Sequence, residues 1–248
     1  MIGVLGVGHL AGAMLDGLER SGMAPERILL SPRGRGPELA AARGFGLARD
    51  NTDLVERSDL VLLAVRPAAA EAAVAGLPWR AGQILVSACA GVPMARLAVA
   101  PAQAMRVMPM TAAAYGASPT ACFPDLAPAR VLLDPLGPVI PLAAEAEFEV
   151  ATVSAAAYGW AQALIRATAD WSAARGLAPE TARLLAARTF AAAGGLMAAS
   201  PEPMERLLSE LVTPGGITER GLELLAARGV PAAWDAACDA VLAKLLGG

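Results

Sequence analysis

The chain opens on an apolar run, Ile2-Gly3-Val4-Leu5, passes through glycines at 6 and 8, and continues with Ala13, Met14, Leu15 and Leu18 on one helical face. A strand, a glycine turn and a helix account for that pattern. A second run, Arg27–Ser31, predicts another strand, followed by a helix over 37–43, a short strand over 44–48, and a helical turn to Arg57 capped by Asn51. Asp59–Val65 is continuously apolar and stops at Arg66-Pro67, as expected of a strand with both faces covered. A helix over 68–75, a strand over 83–87, a shorter helix over 93–99 and a strand over 104–109 continue the alternation. Two further strands, 118–123 and 137–142, flank a helix over 125–133. Alternating strands and helices imply an α/β domain with an open, mainly parallel, doubly wound sheet.

Beyond Glu145 the period changes to helix almost throughout: 145–176 with a break near Tyr158-Gly159, then 179–199, 201–211, 216–228 and 231–246. Pro179, Pro201 and Pro231 each fall where proline is tolerated, in a helix's first turn. The boundary is therefore expected near residue 143, with an α/β domain over 1–143 and an all-helical domain over 144–248. The helical part is rich in Ala, Leu and Gly, and pairing with a second copy would use its excess apolar surface; an Ala-rich bundle core is the competing explanation.

The first turn reads Gly6-Val7-Gly8-His9-Leu10-Ala11, a G-x-G-x-x-A spacing. Gly6 allows a tight turn, Gly8 lets backbone approach a pyrophosphate, and small Ala11 permits close packing of helix on strand, the arrangement of a Rossmann-type dinucleotide site. The helix start adds N–H groups and the positive end of its dipole. At the end of the second strand, where an NAD site usually carries a carboxylate for the ribose 2'-hydroxyl, the chain has Ser31-Pro32-Arg33-Gly34-Arg35. A hydroxyl and two guanidinium groups suit a 2'-phosphate, which favours NADP(H) over NAD(H); a solvated basic loop is the alternative.

Composition narrows the partners. Of 248 residues, 56% are hydrophobic and only 4% aromatic, so the cores must be built from small and branched aliphatic side chains. A net charge of −3 with dispersed basic residues gives no track for nucleic acid or anionic membrane. No uncharged apolar run is long enough to cross a bilayer, and the apolar start lacks the basic flank of a secretory signal, so a mature cytoplasmic protein is expected. Cys89, Cys122 and Cys238 are widely separated and lack metal-ligand spacing; reduced, buried thiols are expected, and no metal. His9 is the sole histidine, which leaves no Ser-His or His-Asp arrangement for a hydrolase.

Five segments together resemble the pyrroline-5-carboxylate reductase family: residues 6–14, Ala64-Val65-Arg66-Pro67, Ser87–Val92, Arg106–Thr111, and Thr213-Pro214-Gly215-Gly216-Ile217-Thr218 with Gly221-Leu222. The resemblance spans nearly the whole chain. It implies an NAD(P)H domain, a helical dimerisation domain, and an active site completed by a neighbouring subunit of a homodimer or higher oligomer. It also implies hydride transfer to a cyclic imine, with proline as the product. In that family the Pro-Gly-Gly turn cradles the substrate carboxylate, which here implicates Thr213, Gly215, Gly216 and Ile217 in binding, and Thr218 beside the ring nitrogen as the catalytic residue. Two glycines before a helix also make an anion-binding nest on physical grounds alone; a simple helix cap is the plainer reading. Gly6, Gly8, His9, Leu10, Ala11, Ser31, Arg33, Arg35 and Ala64-Val65-Arg66-Pro67 are implicated in cofactor binding. His9, at a position often Asn in the family, is expected to position backbone or contact phosphate, or else to face solvent.

A protonated cyclic imine needs positioning more than a strong protein acid. The chain departs from the family at two places. Met110 stands where an asparagine amide is typical, and Ala155-Ala156-Ala157-Tyr158-Gly159-Trp160 replaces a Ser-Gly-Ser-Gly-Pro wall. Tyr158 and Trp160 either reshape the pocket for a bulkier imine or serve as core aromatics. Two other functions compete: a non-catalytic NADP(H)-binding dimer, and a dehydrogenase of a small hydroxy acid. The second needs a base, commonly lysine, and the sole lysine is Lys244.

Overall fold

The computed structural model describes residues 1–247 and divides into two compact units, Met1–Ala155 with Lys244–Gly248, and Ala156–Ala243. The first is built on an eight-stranded sheet: β1 (Ile2–Leu5), β2 (Ile28–Leu30), β3 (Gly46–Leu47), β4 (Leu60–Leu63), β5 (Ile84–Ser87), β6 (Gln103–Met108), β7 (Thr120–Phe123) and β8 (Val139–Pro141). Their order is β3-β2-β1-β4-β5-β6-β7-β8, and every neighbouring pair is parallel except β6 and β7. The chain works outward from β1 to one edge, then returns to build the other side from β4. The sheet thus reverses direction between β1 and β4.

Strand alternation explains the double winding. In β4, Leu60 and Leu62 join one apolar cluster with Met14, Leu15 and Leu18, while Val61 and Leu63 join a second with Leu54, Val74 and Trp79. Successive side chains point to opposite faces, so a continuous apolar strand feeds both cores. Between the strands run α1 (His9–Arg20), α2 (Gly36–Arg43), α3 (Asn51–Arg57), α4 (Ala70–Val74) and α5 (Arg130–Leu133). Arg43 ties α2 to α1 through Asp16 at 2.7 Å and through Glu19.

Several sequence expectations change in detail. The cap of α3 is Asp50, whose carboxylate accepts the Asp53 N–H at 2.8 Å; Asn51 is the first helical residue. The expected helix over 93–99 is a single 3-10 turn, Met94–Arg96, because Val92, Leu97 and Val99 turn inward to the second core. The expected helix over 125–133 contracts to a 3-10 turn and α5.

The helices α6 (Phe148–Ala173), α7 (Pro179–Ala199), α8 (Met204–Leu211), α9 (Ile217–Ala227) and α10 (Val230–Leu246) follow. No break occurs at Tyr158-Gly159. A helix-interior glycine costs about 1 kcal/mol relative to alanine, and the surrounding alanines and leucine offset it. Pro201 lies outside α8, which begins three residues later with Pro203 as its cap; Pro179 and Pro231 sit in the first turns of α7 and α10.

The start of α6 is pinned within the first unit by a buried cation. Arg106 on β6 is 2% exposed; its guanidinium bonds Glu149 at 2.6 Å, reaches Glu145 at 3.5 Å, and lies over the Phe148 ring at 4.1 Å. A charge this deeply buried requires such partners.

Candidate nucleotide cleft and Pro-Gly-Gly turn

The glycine turn is shaped by its neighbours. Gly6 has φ +92°, and a Cβ there would lie 2.7 Å from Val65 Cγ1 and 2.8 Å from the Val65 nitrogen. No larger residue fits. Its N–H donates to Ser31 Oγ at 3.3 Å, tying the turn to the end of β2. Gly8 differs, because a Cβ there would meet nothing within 4 Å. The space in front of it is open, as a site for phosphate groups requires. Gly8 caps α1, and the first helical bond runs from the Gly12 N–H to the Gly8 carbonyl at 3.0 Å. The amides of residues 9–11 therefore point out of the helix end, where the dipole favours an anion.

A cleft of about 480 Å³ opens beside this turn, along the carboxyl ends of β1, β2 and β4. That is the reversal point of the sheet, the place where open α/β sheets take ligands. Of the twelve residues implicated in cofactor binding, Gly6, Gly8, Ser31, Arg33, Ala64, Val65 and Arg66 line it. The other five do not. His9 is exposed at the first position of α1, Leu10 is partly buried, Ala11 is fully buried in the core, and Pro67 is exposed at the next turn. Arg35 lies over Gly12, its Nη1 3.6 Å from where a Cβ would stand, and pairs with Glu38 at 3.6 Å.

Ser31 is 3% exposed, with its hydroxyl engaged by Gly6, so its first task is to hold the turn. Asn51 also lines the cleft, with Gly34, Ala69, Ala72 and Ala73, a contribution not read from the sequence. Its position at the start of α3, just after a strand, was the available signal. Among the described residues, no carboxylate lines the cleft, and its charged groups are Arg33 and Arg66.

The second unit carries the Pro-Gly-Gly turn. Gly215 has φ +74°, and Gly216 caps α9, where a Cβ would fall 2.5 Å from Thr213 Oγ1. The Gly216 N–H donates to the Thr213 carbonyl at 2.9 Å, and the Gly215 N–H donates to Glu219 Oε2 at 2.6 Å. Two of the three amides expected to form an anion nest are thus held within the chain. Ile217 and Thr218 are the first two residues of α9, so their amides precede its internal ladder. Thr218 is half-buried, and Ile217 is 94% exposed.

Trp160, half-buried, packs edge to face on the exposed Trp234 within the helical unit, with centroids 5.2 Å apart. Met110 is buried in the sheet unit, its N–H donating to Ser118 Oγ at 2.8 Å. Burial pushes the Cys89 and Cys122 thiols above their usual range, which keeps them protonated and inert. Among the described residues, no three His, Cys, Asp or Glu side chains gather to hold a metal, and no helix is long and apolar enough to cross a membrane.

Residues 1–91 match the family described as NADP oxidoreductase, coenzyme F420-dependent, and residues 145–246 match pyrroline-5-carboxylate reductase dimerisation. Along its length the chain is 30% identical to pyrroline-5-carboxylate reductase 2 of Bacillus subtilis over 245 residues, covering 90% of this chain and 86% of that protein. The chain belongs to the pyrroline-5-carboxylate reductase family. It is an oxidoreductase of that type. The structure of the Streptococcus pyogenes 1-pyrroline-5-carboxylate reductase superposes with a TM-score of 0.83 at 26% identity, covering 100% of this chain and 98% of that one. The Plasmodium falciparum pyrroline carboxylate reductase, solved with NADP bound, shares the fold, with a TM-score of 0.86 at 19% identity over 99% of this chain and 97% of that one.

Proposed function

We propose that this protein reduces a cyclic imine, 1-pyrroline-5-carboxylate above all, to the corresponding secondary amine, with NADPH as hydride donor. The observation that carries the reading is the cleft at the sheet's reversal point, which presents Gly8, the start of α1 and Arg33 but no carboxylate. In a chain of this family, that surface suits a dinucleotide bearing an extra phosphate. The open space at Gly8 and the outward amides of His9, Leu10 and Ala11 fit the pyrophosphate. Ser31, Arg33 and Arg35 are assigned to the 2'-phosphate, with Arg33 the principal contact because it faces the cleft. Ala64, Val65, Arg66 and Pro67 are assigned to the wall along the cofactor.

Held in that cleft, NADPH would supply the hydride that turns the C=N bond of a protonated cyclic imine into a single bond, with the ring nitrogen keeping its proton. The chain's own task is orientation. Thr213, Gly215, Gly216 and Ile217 are assigned to the substrate's anionic end, and the Thr218 hydroxyl to the ring nitrogen. The helical unit supports a working state of two or more copies: from Ala156 to Ala243, only Ala182 and Ala186 are buried among the described residues. The substrate itself is a small molecule, and neither nucleic acid nor membrane has a role in this reading.

The deciding experiment is oxidation of NADPH by the purified protein with 1-pyrroline-5-carboxylate, with NADH in parallel. Turnover with a preference for NADPH is expected, and NADPH binding without turnover of any cyclic imine would overturn the assignment. Thr218→Ala should lower kcat by about tenfold or more while leaving NADPH affinity unchanged.

A further inference from the structure

Resting on the reading of the Pro-Gly-Gly turn as the substrate's anion-binding nest, we propose that Glu219 sets the enzyme's choice between cyclic imines that carry a carboxylate and those that do not. The Glu219 carboxylate already sits on the nest. Its Oε2 accepts the Gly215 N–H at 2.6 Å, a short bond of the kind an ionised acceptor favours. With the Gly216 N–H directed to the Thr213 carbonyl, both glycine amides are engaged before any ligand arrives.

The charge on Glu219 is not neutralised by a cation. Among the described residues it forms no ion pair, and the adjacent Arg220 is directed to Glu223 at 3.5 Å. A ligand carboxylate approaching this turn therefore meets a like charge on the donor it needs. It binds only as the Glu219 side chain leaves the Gly215 amide. A protonated imine without a carboxylate has neither difficulty, and its positive charge is complementary to Glu219. Chain geometry makes the competition local: Glu219 is the third residue of α9, four positions beyond Gly215, so one side chain spans from the helix to the turn.

A purely structural role would be that of a helix-start acid, favourable to the dipole and to the turn. The two roles separate experimentally. Glu219→Gln keeps a side-chain oxygen for the Gly215 amide and removes the charge, whereas Glu219→Ala removes both. Steady-state kinetics with 1-pyrroline-5-carboxylate and with 1-pyrroline, under saturating NADPH, should show the KM for the carboxylated imine falling by about tenfold in Glu219→Gln, with kcat little changed. The KM for 1-pyrroline should stay level or rise.

A ratio of the two KM values that moves by less than about twofold in both variants, whatever happens to the melting temperature, would overturn the proposal. Should the wild type reduce neither imine, the proposed reaction fails but Glu219 is still tested, by calorimetric binding of proline and pyrrolidine. Proline should then bind Glu219→Gln about tenfold more tightly than wild type, with pyrrolidine gaining nothing. Equal changes for both ligands would reject the role of Glu219 on its own.

Discussion

The two units of this chain solve the problem of burying apolar surface in opposite ways. In the sheet unit, β1, β2, β4 and β5 are buried along their whole length, and two apolar clusters cover the two faces. In the helical unit, Leu184, Leu185, Leu196, Leu208 and Leu224 are all exposed, and α8, α9 and α10 contain no buried residue among those described. A doubly wound sheet completes its core within one chain. Helices whose leucines face outward do so only with another surface against them. Stability in the first unit is therefore intramolecular, and in the second it is expected to depend on protein concentration.

Small changes should be costly in the first unit. A Cβ at Gly17 on α1 would fall 2.1 Å from the Ala113 carbonyl oxygen and 2.9 Å from Leu136 Cδ2, so backbone rather than a flexible side chain must move. Gly17→Val should destabilise the fold by about 3 kcal/mol, read from urea denaturation. A loss under about 1 kcal/mol would show that the helix is less tightly seated than its contacts imply.

The cleft belongs to this self-sufficient unit, so cofactor binding there should not depend on self-association. Arg33→Ala should weaken NADPH binding by about thirtyfold, near 2 kcal/mol, the scale of a charge-assisted hydrogen bond, and leave NADH unaffected. Equal losses for both cofactors would remove Arg33 from phosphate recognition. The same variant should sediment like wild type.

Leu185→Glu makes the reverse test in the helical unit. Leu185 is 56% exposed on α7, so a charge there costs the isolated chain little. Self-association should weaken by at least about tenfold, near 1.4 kcal/mol, in sedimentation equilibrium, while NADPH affinity holds. Unchanged association would place the copy-to-copy surface elsewhere on the helices.

What the sequence disclosed follows the same division. Continuous apolar runs made β1, β4 and β5 legible, because a strand buried on both faces has no polar interruptions. The glycine turn was legible because Gly6 needs a positive φ that side chains rarely adopt. Four features were not. Residues 93–99 read as a helix because apolar residues in a loop packed on the second core mimic helical spacing. Asn51 read as a cap, although Asp50 does the capping and Asn51 faces the cleft, a distinction that one-residue register decides. Arg106 carried no sign of burial, since its partners Glu145 and Glu149 lie some forty residues away. The contact of Glu219 with Gly215 is not readable from the sequence, because a Pro-Gly-Gly turn is defined by its backbone and nothing in the motif specifies the side chain four residues on.

Acid should find the same contrast between the units. Asp53 is buried in α3, where its carboxylate accepts the Arg49 N–H at 3.0 Å, the Arg49 guanidinium at 2.8 Å and the Arg57 guanidinium at 3.2 Å. The Arg49 backbone bond, followed by that residue's side chain, holds the Asp53 pKa down to about 2 from an ordinary 3.8. Among the described residues, the ion pairs of the helical unit, Arg166 with Asp170, Arg206 with Glu202 and Glu210, and Arg220 with Glu223, are all exposed, and such pairs contribute little. Between about pH 4 and pH 2 the unfolded chain binds a proton at residue 53 that the folded chain does not, so stability falls as pH falls through that window. Asp53→Asn should therefore be less stable than wild type at neutral pH, with the gap constant down to about pH 5 and closing as the carboxylate titrates below it. Urea midpoints of both proteins from pH 7 to about pH 3 measure this, with Glu202→Gln as the exposed control, for which a much smaller gap is expected throughout. A gap for Asp53→Asn that ignores pH would mean that residue 53 acts through shape and hydrogen bonding alone, and that charge contributes as little to the sheet unit as it does to the helices.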